Sequence, residues 1–179
     1  MYKRQVADFN NDGINDLMLV DQGQEVTMPW EEDTIKLLLG TSDGRLKDVS
    51  DTNLPNTLNF NHNGDVADID NDGDQDVLIS TLDWPNSYLL INDGTGNFTM
   101  NTSKLPDNMT TWTGEGNWMQ PGGSGFGDIN GDGRVDIVFG SYKDAVGKKI
   151  TVATQDANGN FIETPVSYTH LTLPTINWV

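Results

Sequence analysis

Short apolar runs recur along this chain between long polar stretches. Leu17-Met18-Leu19-Val20, Val77-Leu78-Ile79 and Ile137-Val138-Phe139 are too short for helices and read as buried strands bounded by turn residues. Each is preceded, one polar loop earlier, by an apolar or small pair: Val6-Ala7, Val66-Ala67 and Phe126-Gly127. Each is followed, after a segment of variable length, by a second β-rich run at Ile35 to Leu39, Tyr88 to Ile91 and Ile150 to Ala153. Hairpin signals come next, at Ser42-Asp43-Gly44, Asp93-Gly94-Thr95-Gly96-Asn97 and Asp156-Ala157-Asn158-Gly159-Asn160. Leu46, Phe98 and Phe161, two places past the last glycine, then open a fourth strand. No segment carries a convincing amphipathic helical period. The pattern predicts an all-β chain of three four-stranded antiparallel units, the signature of propeller blades or a related β-repeat array.

The polar loop between the first two strands of each unit is itself repeated. It reads Asp8-Phe9-Asn10-Asn11-Asp12-Gly13-Ile14-Asn15-Asp16, Asp68-Ile69-Asp70-Asn71-Asp72-Gly73-Asp74-Gln75-Asp76 and Asp128-Ile129-Asn130-Gly131-Asp132-Gly133-Arg134-Val135-Asp136. All three fit D-x-[DN]-x-D-G-x-x-D, with side-chain oxygens at loop positions 1, 3, 5 and 9. Hard cations such as Ca2+ take about six to eight oxygen ligands, and a tight loop with this alternation aims them at one point. Glycine at position 6 allows the sharp reversal. Position 7 (Ile14, Asp74, Arg134) varies, as expected if only its backbone carbonyl is used. Turn chemistry alone favours Asp, Asn and Gly but does not require Asp at position 9, inside the next strand.

Charge sharpens the picture. There are 27 acidic against 10 basic residues, a formal −17, and the loops hold 3, 5 and 3 of the acids, 11 in all. One Ca2+ per loop brings the net to about −11. So few cationic side chains argue against nucleic acid as a partner. No stretch is apolar enough to insert in a membrane. The chain has no cysteine, so metal is the available staple. The opening Met1-Tyr2-Lys3-Arg4-Gln5-Val6-Ala7 lacks the apolar core of a signal peptide.

These units resemble FG-GAP/VCBS repeats, which build the calcium-binding β-propellers of integrin α-subunits and of many secreted bacterial proteins. The likeness is carried by Phe126-Gly127-Asp128-Ile129-Asn130-Gly131-Asp132-Gly133, Val66-Ala67-Asp68-Ile69-Asp70-Asn71-Asp72-Gly73-Asp74 and Leu89-Leu90-Ile91-Asn92-Asp93-Gly94-Thr95-Gly96-Asn97-Phe98, and spans residues 4 to 163. It implies a partial β-propeller of three four-stranded blades, each with a calcium loop between its first two strands. It also implies about three Ca2+ ions, one per repeat. The first would be held by Asp8, Asn10, Asp12, Asp16 and the Ile14 carbonyl, the second by Asp68, Asp70, Asp72, Asp76 and the Asp74 carbonyl, and the third by Asp128, Asn130, Asp132, Asp136 and the Arg134 carbonyl. The second offers four side-chain carboxylates and is expected to bind tightest. Repeats are expected at residues 1–57, 58–122 and 123–165. Closed propellers need at least four blades, so the chain is expected to be a fragment, with the remaining blades of its parent among its partners.

Other calcium motifs fit less well. An EF-hand wants a bidentate Glu at position 12 and flanking helices, whereas Leu19, Ile79 and Phe139 stand there inside strands. Catalytic constellations are thin: His62 and His170 are the two histidines, His62 reads as part of a polar connector, and no Ser elbow or H-E-x-x-H occurs. The expectation is therefore a non-enzymatic, calcium-binding module of a secreted or cell-surface protein, a scaffold for adhesion or for an extracellular protein or glycan. The alternative is an ancillary propeller of a larger extracellular enzyme such as a polysaccharide lyase or lipase. Trp30, Trp84, Trp112 and Trp118 sit in variable segments, where they either bind ligand or wedge between blades. Residues 166–179 break the composition of the repeats and are expected to be a non-native or unstructured tail.

Overall fold

Strand pairing groups the chain into three sheets of identical topology. The computed structural model describes residues 3–20, 35–56, 61–81, 87–110, 121–141 and 150–164. Strands β1 (Lys3–Ala7), β2 (Asp16–Val20), β3 (Lys36–Gly40) and β4 (Leu46–Asp48) form the first sheet, in that order and antiparallel throughout. Strands β5 (Asn61–Ala67), β6 (Asp76–Thr81), β7 (Tyr88–Asn92) and β8 (Phe98–Asn101) form the second. Strands β9 (Pro121–Gly127), β10 (Asp136–Ser141), β11 (Ile150–Gln155) and β12 (Phe161–Thr164) form the third. Register repeats as well: Ala7, Ala67 and Gly127 pair with Asp16, Asp76 and Asp136, so each acidic loop closes on the same rung.

The apolar runs alternate between two interfaces, as side chains on a strand must. One core lies between the first and second sheets, where Phe9, Met18, Val20 and Leu37 meet Val77, Ile79, Leu90 and Phe98. Phe9 and Phe98 pack edge to face, with ring centroids 5.6 Å apart. The other core lies between the second and third sheets, where Ile69, Leu78 and Leu89 meet Ile137, Phe139, Ala153 and Phe161. Every residue of β6 is therefore buried, while β2 and β10 bury one face more deeply than the other. The fold is all-β, with β-propeller-like blades.

Two details differ from the sequence reading. Single-turn helices, α1 (Ser50–Asn53) and α2 (Asp107–Thr110), occupy the connectors after β4 and β8. Four residues are too few to show a helical period. His62 is not in a polar connector but within β5, half buried. The strands that begin each sheet are polar because they meet one another through hydrogen bonds: Gln5 donates to the Gly64 carbonyl and Ser124 donates to Asp65, and Ser124 also lies 2.9 Å from the Ser80 hydroxyl of β6. Among the described residues no helix is long and apolar enough to cross a membrane. Trp30, Trp84, Trp112, Trp118, His170 and residues 166–179 lie outside the described residues.

Candidate metal centre

Each acidic loop is wound around its own carboxylates. The position 1 aspartate accepts the backbone N–H groups of positions 5 and 6: Asp8 from Asp12 and Gly13 at 3.1 and 2.8 Å, Asp68 from Asp72 and Gly73 at 3.1 Å each, and Asp128 from Asp132 and Gly133 at 3.0 and 2.9 Å. Position 5 then caps position 7, with Asp12, Asp72 and Asp132 accepting from Ile14, Asp74 and Arg134 at 2.8, 2.9 and 2.9 Å. Such winding needs left-handed backbone twice. Position 6 supplies it with Gly13, Gly73 and Gly133 (φ 84°, 98° and 84°), and position 4 with Asn11, Asn71 and Gly131 (φ 57°, 59° and 78°). Asn and Gly are the residues that adopt this region most readily. Position 4 carried that signal in the sequence as Asn, Asn, Gly.

Position 9 is the anchor of each loop. Asp16, Asp76 and Asp136 are buried, and one carboxylate oxygen of each accepts the position 2 N–H, from Phe9, Ile69 and Ile129 at 2.8, 2.9 and 2.9 Å. The other oxygen accepts the N–H of the last residue of the third strand, from Gly40, Asn92 and Gln155 at 2.8, 2.8 and 2.9 Å. Asp136 also accepts the Asn130 N–H on the oxygen that holds Ile129, at 3.3 Å; a carboxylate has about four lone-pair sites, so each of the three keeps at least one for a cation.

The three loops differ in how their carboxylates converge. In the second, one ligand oxygen from each of Asp68, Asp70 and Asp76 lies within 4.8 Å of the others, a grouping of hard donors that fits a divalent cation. Burial pushes the Asp76 carboxyl up to about 6 against the pull of the Asn92 and Ile69 N–H groups, and the charges of Asp70 and Asp72 add to the rise. Asp70 is also pushed up, first by burial and then by Asp72 and Asp68. The first and third loops carry Asn10 and Asn130 where the second has Asp70, and both amides donate to the position 5 carboxylate, Asp12 at 3.1 Å and Asp132 at 2.9 Å. In the third loop the Arg134 guanidinium also pairs with Asp132. The Arg134 N–H, followed by the Asn130 amide and the Arg134 charge, holds Asp132 below the usual carboxylate range.

Position 7 is not the idle position that its variability implied. Asp74 accepts the Asn11 amide of the neighbouring loop at 2.6 Å, and Arg134 Nε donates to the Gln155 carbonyl at 3.0 Å. The sequence reading also missed the last residue of the third strand. Asn92 and Gln155 reach the preceding sheet, their amides donating to the Phe9 and Ile69 carbonyls at 2.8 and 2.7 Å. Because the third strands align on apolar residues, nothing in their pattern drew attention to these ends.

A family model described as FG-GAP-like repeat matches residues 8–79 and again residues 68–139, each match opening on the first aspartate of a loop. No curated protein matches the chain.

Proposed function

The chain belongs to the FG-GAP-like repeat family, and from that premise we propose that it is a calcium-stabilised propeller-type module of a secreted or cell-surface protein. The observation that carries this reading is the convergence of Asp68, Asp70 and Asp76 within 4.8 Å. Three carboxylates held that close repel one another until a cation or protons neutralise them. The second site would take the ion through Asp68, Asp70, Asp72 and Asp76 with the Asp74 carbonyl. Asp8, Asn10, Asp12, Asp16 and the Ile14 carbonyl would form the first, and Asp128, Asn130, Asp132, Asp136 and the Arg134 carbonyl the third. An ion there neutralises charge and ties the first two strands of a sheet together, so its role is structural.

Extracellular calcium modules bind at roughly 10⁻⁴ to 10⁻³ M, and an affinity in that range is what placement outside the cell requires of these sites. The sheets then serve as a rigid scaffold for adhesion or for binding a protein or glycan through variable segments. Isothermal titration with CaCl2 after chelator treatment tests the reading. Asp70→Ala is expected to weaken the tightest site at least about tenfold, while Asp43→Ala, in an exposed hairpin, leaves it unchanged. Absence of calcium heat in the unmodified chain sinks the proposal.

A further inference from the structure

Position 7 sets the charge of each loop. Ile14 is neutral, Asp74 adds a carboxylate and Arg134 adds a guanidinium. Three aspartates, five aspartates, and three aspartates with one arginine give the loops formal charges of −3, −5 and −2. Arg134 also turns back on its own loop and is fixed there. Its backbone N–H donates to one oxygen of Asp132 at 2.9 Å, and its Nη2 pairs with the other. Its Nε donates to the Gln155 carbonyl at 3.0 Å, at the end of β11. A planar guanidinium held at two points keeps one position, which an ammonium on a flexible stem would not. The side chain is only 34% exposed.

The other carboxylates of the third loop are also more fully engaged than their counterparts. Asp128 accepts the Gly131, Asp132 and Gly133 N–H groups, and Asp136 those of Ile129, Asn130 and Gln155. Asp132 takes the Asn130 amide in addition to the two Arg134 donors. Among the described residues, Asp8, Asp68, Asp16 and Asp76 accept two N–H groups apiece. With about four lone-pair sites to a carboxylate, each aspartate of the third loop keeps about one. The first loop has the same residue types at positions 1, 3, 5 and 9, so ligand identity does not separate it from the third. Position 7 does.

We propose that Arg134 is the resident cation of the third loop. Its guanidinium neutralises the charge that calcium would neutralise in the other two, so this loop winds without an ion and admits calcium only when the guanidinium leaves Asp132. On the calcium reading of the first two loops, filling is then ordered: second, first, third. A divalent ion and a guanidinium on one carboxylate repel each other, and the third site is expected to bind at least about tenfold more weakly than the first. The third sheet keeps its loop wound when calcium is scarce.

The position 6 glycines report the loops separately, because the Gly13, Gly73 and Gly133 N–H groups each donate to a position 1 carboxylate. CaCl2 titration of the isotope-labelled 179-residue chain, followed by NMR, is expected to shift Gly73 first and Gly13 next. Gly133 is expected to follow at free calcium at least about tenfold above Gly13. Arg134→Gln removes the charge at a partly exposed position and is expected to bring Gly133 within about twofold of Gly13. Gly133 shifting together with Gly13 in the unmodified chain overturns the proposal, as does an unchanged gap in the variant. A metal-free measurement separates this role from the calcium reading. In EDTA, the Asp132, Gly133 and Arg134 N–H groups are expected to resist hydrogen exchange at least about fivefold better than those of Asp12, Gly13 and Ile14. Arg134→Gln is expected to abolish that difference. Equal protection of the two loops in the unmodified chain overturns the proposal whatever calcium does. If none of the three glycines responds to calcium, the calcium reading fails and the exchange result alone decides the role of Arg134.

Discussion

Asn11 of the first loop donates its side-chain amide to the Asp74 carboxylate of the second at 2.6 Å, so two acidic loops on neighbouring sheets are joined directly. Asn11 meets two demands, since its backbone is also left-handed at φ 57°. The demands can be separated. Asn11→Gly keeps the backbone and removes only the exposed hydrogen bonds of the amide, to Asp74 and to the Gly94 carbonyl, for a loss of about 0.5–1 kcal/mol. Asn11→Ala adds the left-handed penalty of roughly 1 kcal/mol or more. Urea unfolding in chelator reads the difference, and equal losses for both variants contradict this account.

Calcium removal is expected to lower the melting temperature. A single site saturated to ten times its dissociation constant stabilises by about 1.4 kcal/mol, which for a domain of this size is a shift of about 3–6 °C. Melting in EDTA against millimolar CaCl2 checks it, with MgCl2 as control because Mg2+ demands stricter octahedral geometry. Identical melting in all three buffers contradicts it.

Position 9 is expected to matter even without a cation. Asp16 accepts two backbone N–H groups in a buried setting, from Phe9 and Gly40. Asp16→Asn turns an N–H group toward one of those donors, at about 1–3 kcal/mol. Asp12→Asn, at an exposed position, should cost little in chelator yet weaken calcium binding. Chelator unfolding and calcium titration on the two variants separate anchor from ligand.

Protonation has a defined direction in the metal-free chain. The folded Asp76 carboxyl titrates at about 6, above its unfolded value near 3.9. Its contribution to stability is fully present below about pH 4 and is lost as pH rises through about 6. Asp70 and Asp65, both pushed up first by burial, act in the same sense. Asp48, Asp93, Asp132 and Asp156 are held low by hydrogen bonds and titrate below this window. Urea midpoints in EDTA should therefore fall between pH 4 and pH 7, Asp76→Asn should flatten the fall, and calcium should give its largest gain at the upper end. A midpoint that rises across the window in EDTA overturns the assignment.

Gly40→Ala is expected to be among the most damaging single changes to the first sheet. The new Cβ falls 2.4 Å from the Asn15 carbonyl and 2.7 Å from Ile14 Cγ2. Gly40 must also keep its N–H on Asp16. A loss of about 2 kcal/mol or more follows from overpacking of this kind. Gly140→Ala, with nothing within 4 Å of the new Cβ, is the control.

Much of this architecture is legible in the sequence because the second and third strands of each sheet carry apolar runs and glycine turns punctuate the third and fourth. Leu46, Phe98 and Phe161 open the fourth strands as the glycine turns before them foretell. The loops are legible because their winding restricts residue types at nearly every position. The first strands are less so: Asn61-His62-Asn63-Gly64 and Pro121-Gly122-Gly123-Ser124 are strand segments with no apolar alternation, since they meet their neighbours through polar contacts. The contacts between sheets were hidden for another reason. Asn92, Gln155 and Gly40 are equivalent by the hydrogen bond each donates to a position 9 aspartate, yet they share no side-chain chemistry that a pattern would align.

The complete burial of β6 has a consequence for how the chain is made. The apolar side of the first sheet, complete once Val49 is synthesised, has no cover until Val77, Ile79 and Leu90 follow. At about 5–20 residues per second that is an interval of roughly two to eight seconds, and the Leu78 side of the second sheet then waits in turn for Ile137 and Phe139. Each nascent sheet leaves the ribosome with one wall bare, so the hazard of mispairing with another chain is spread along translation and ends only when the next sheet arrives.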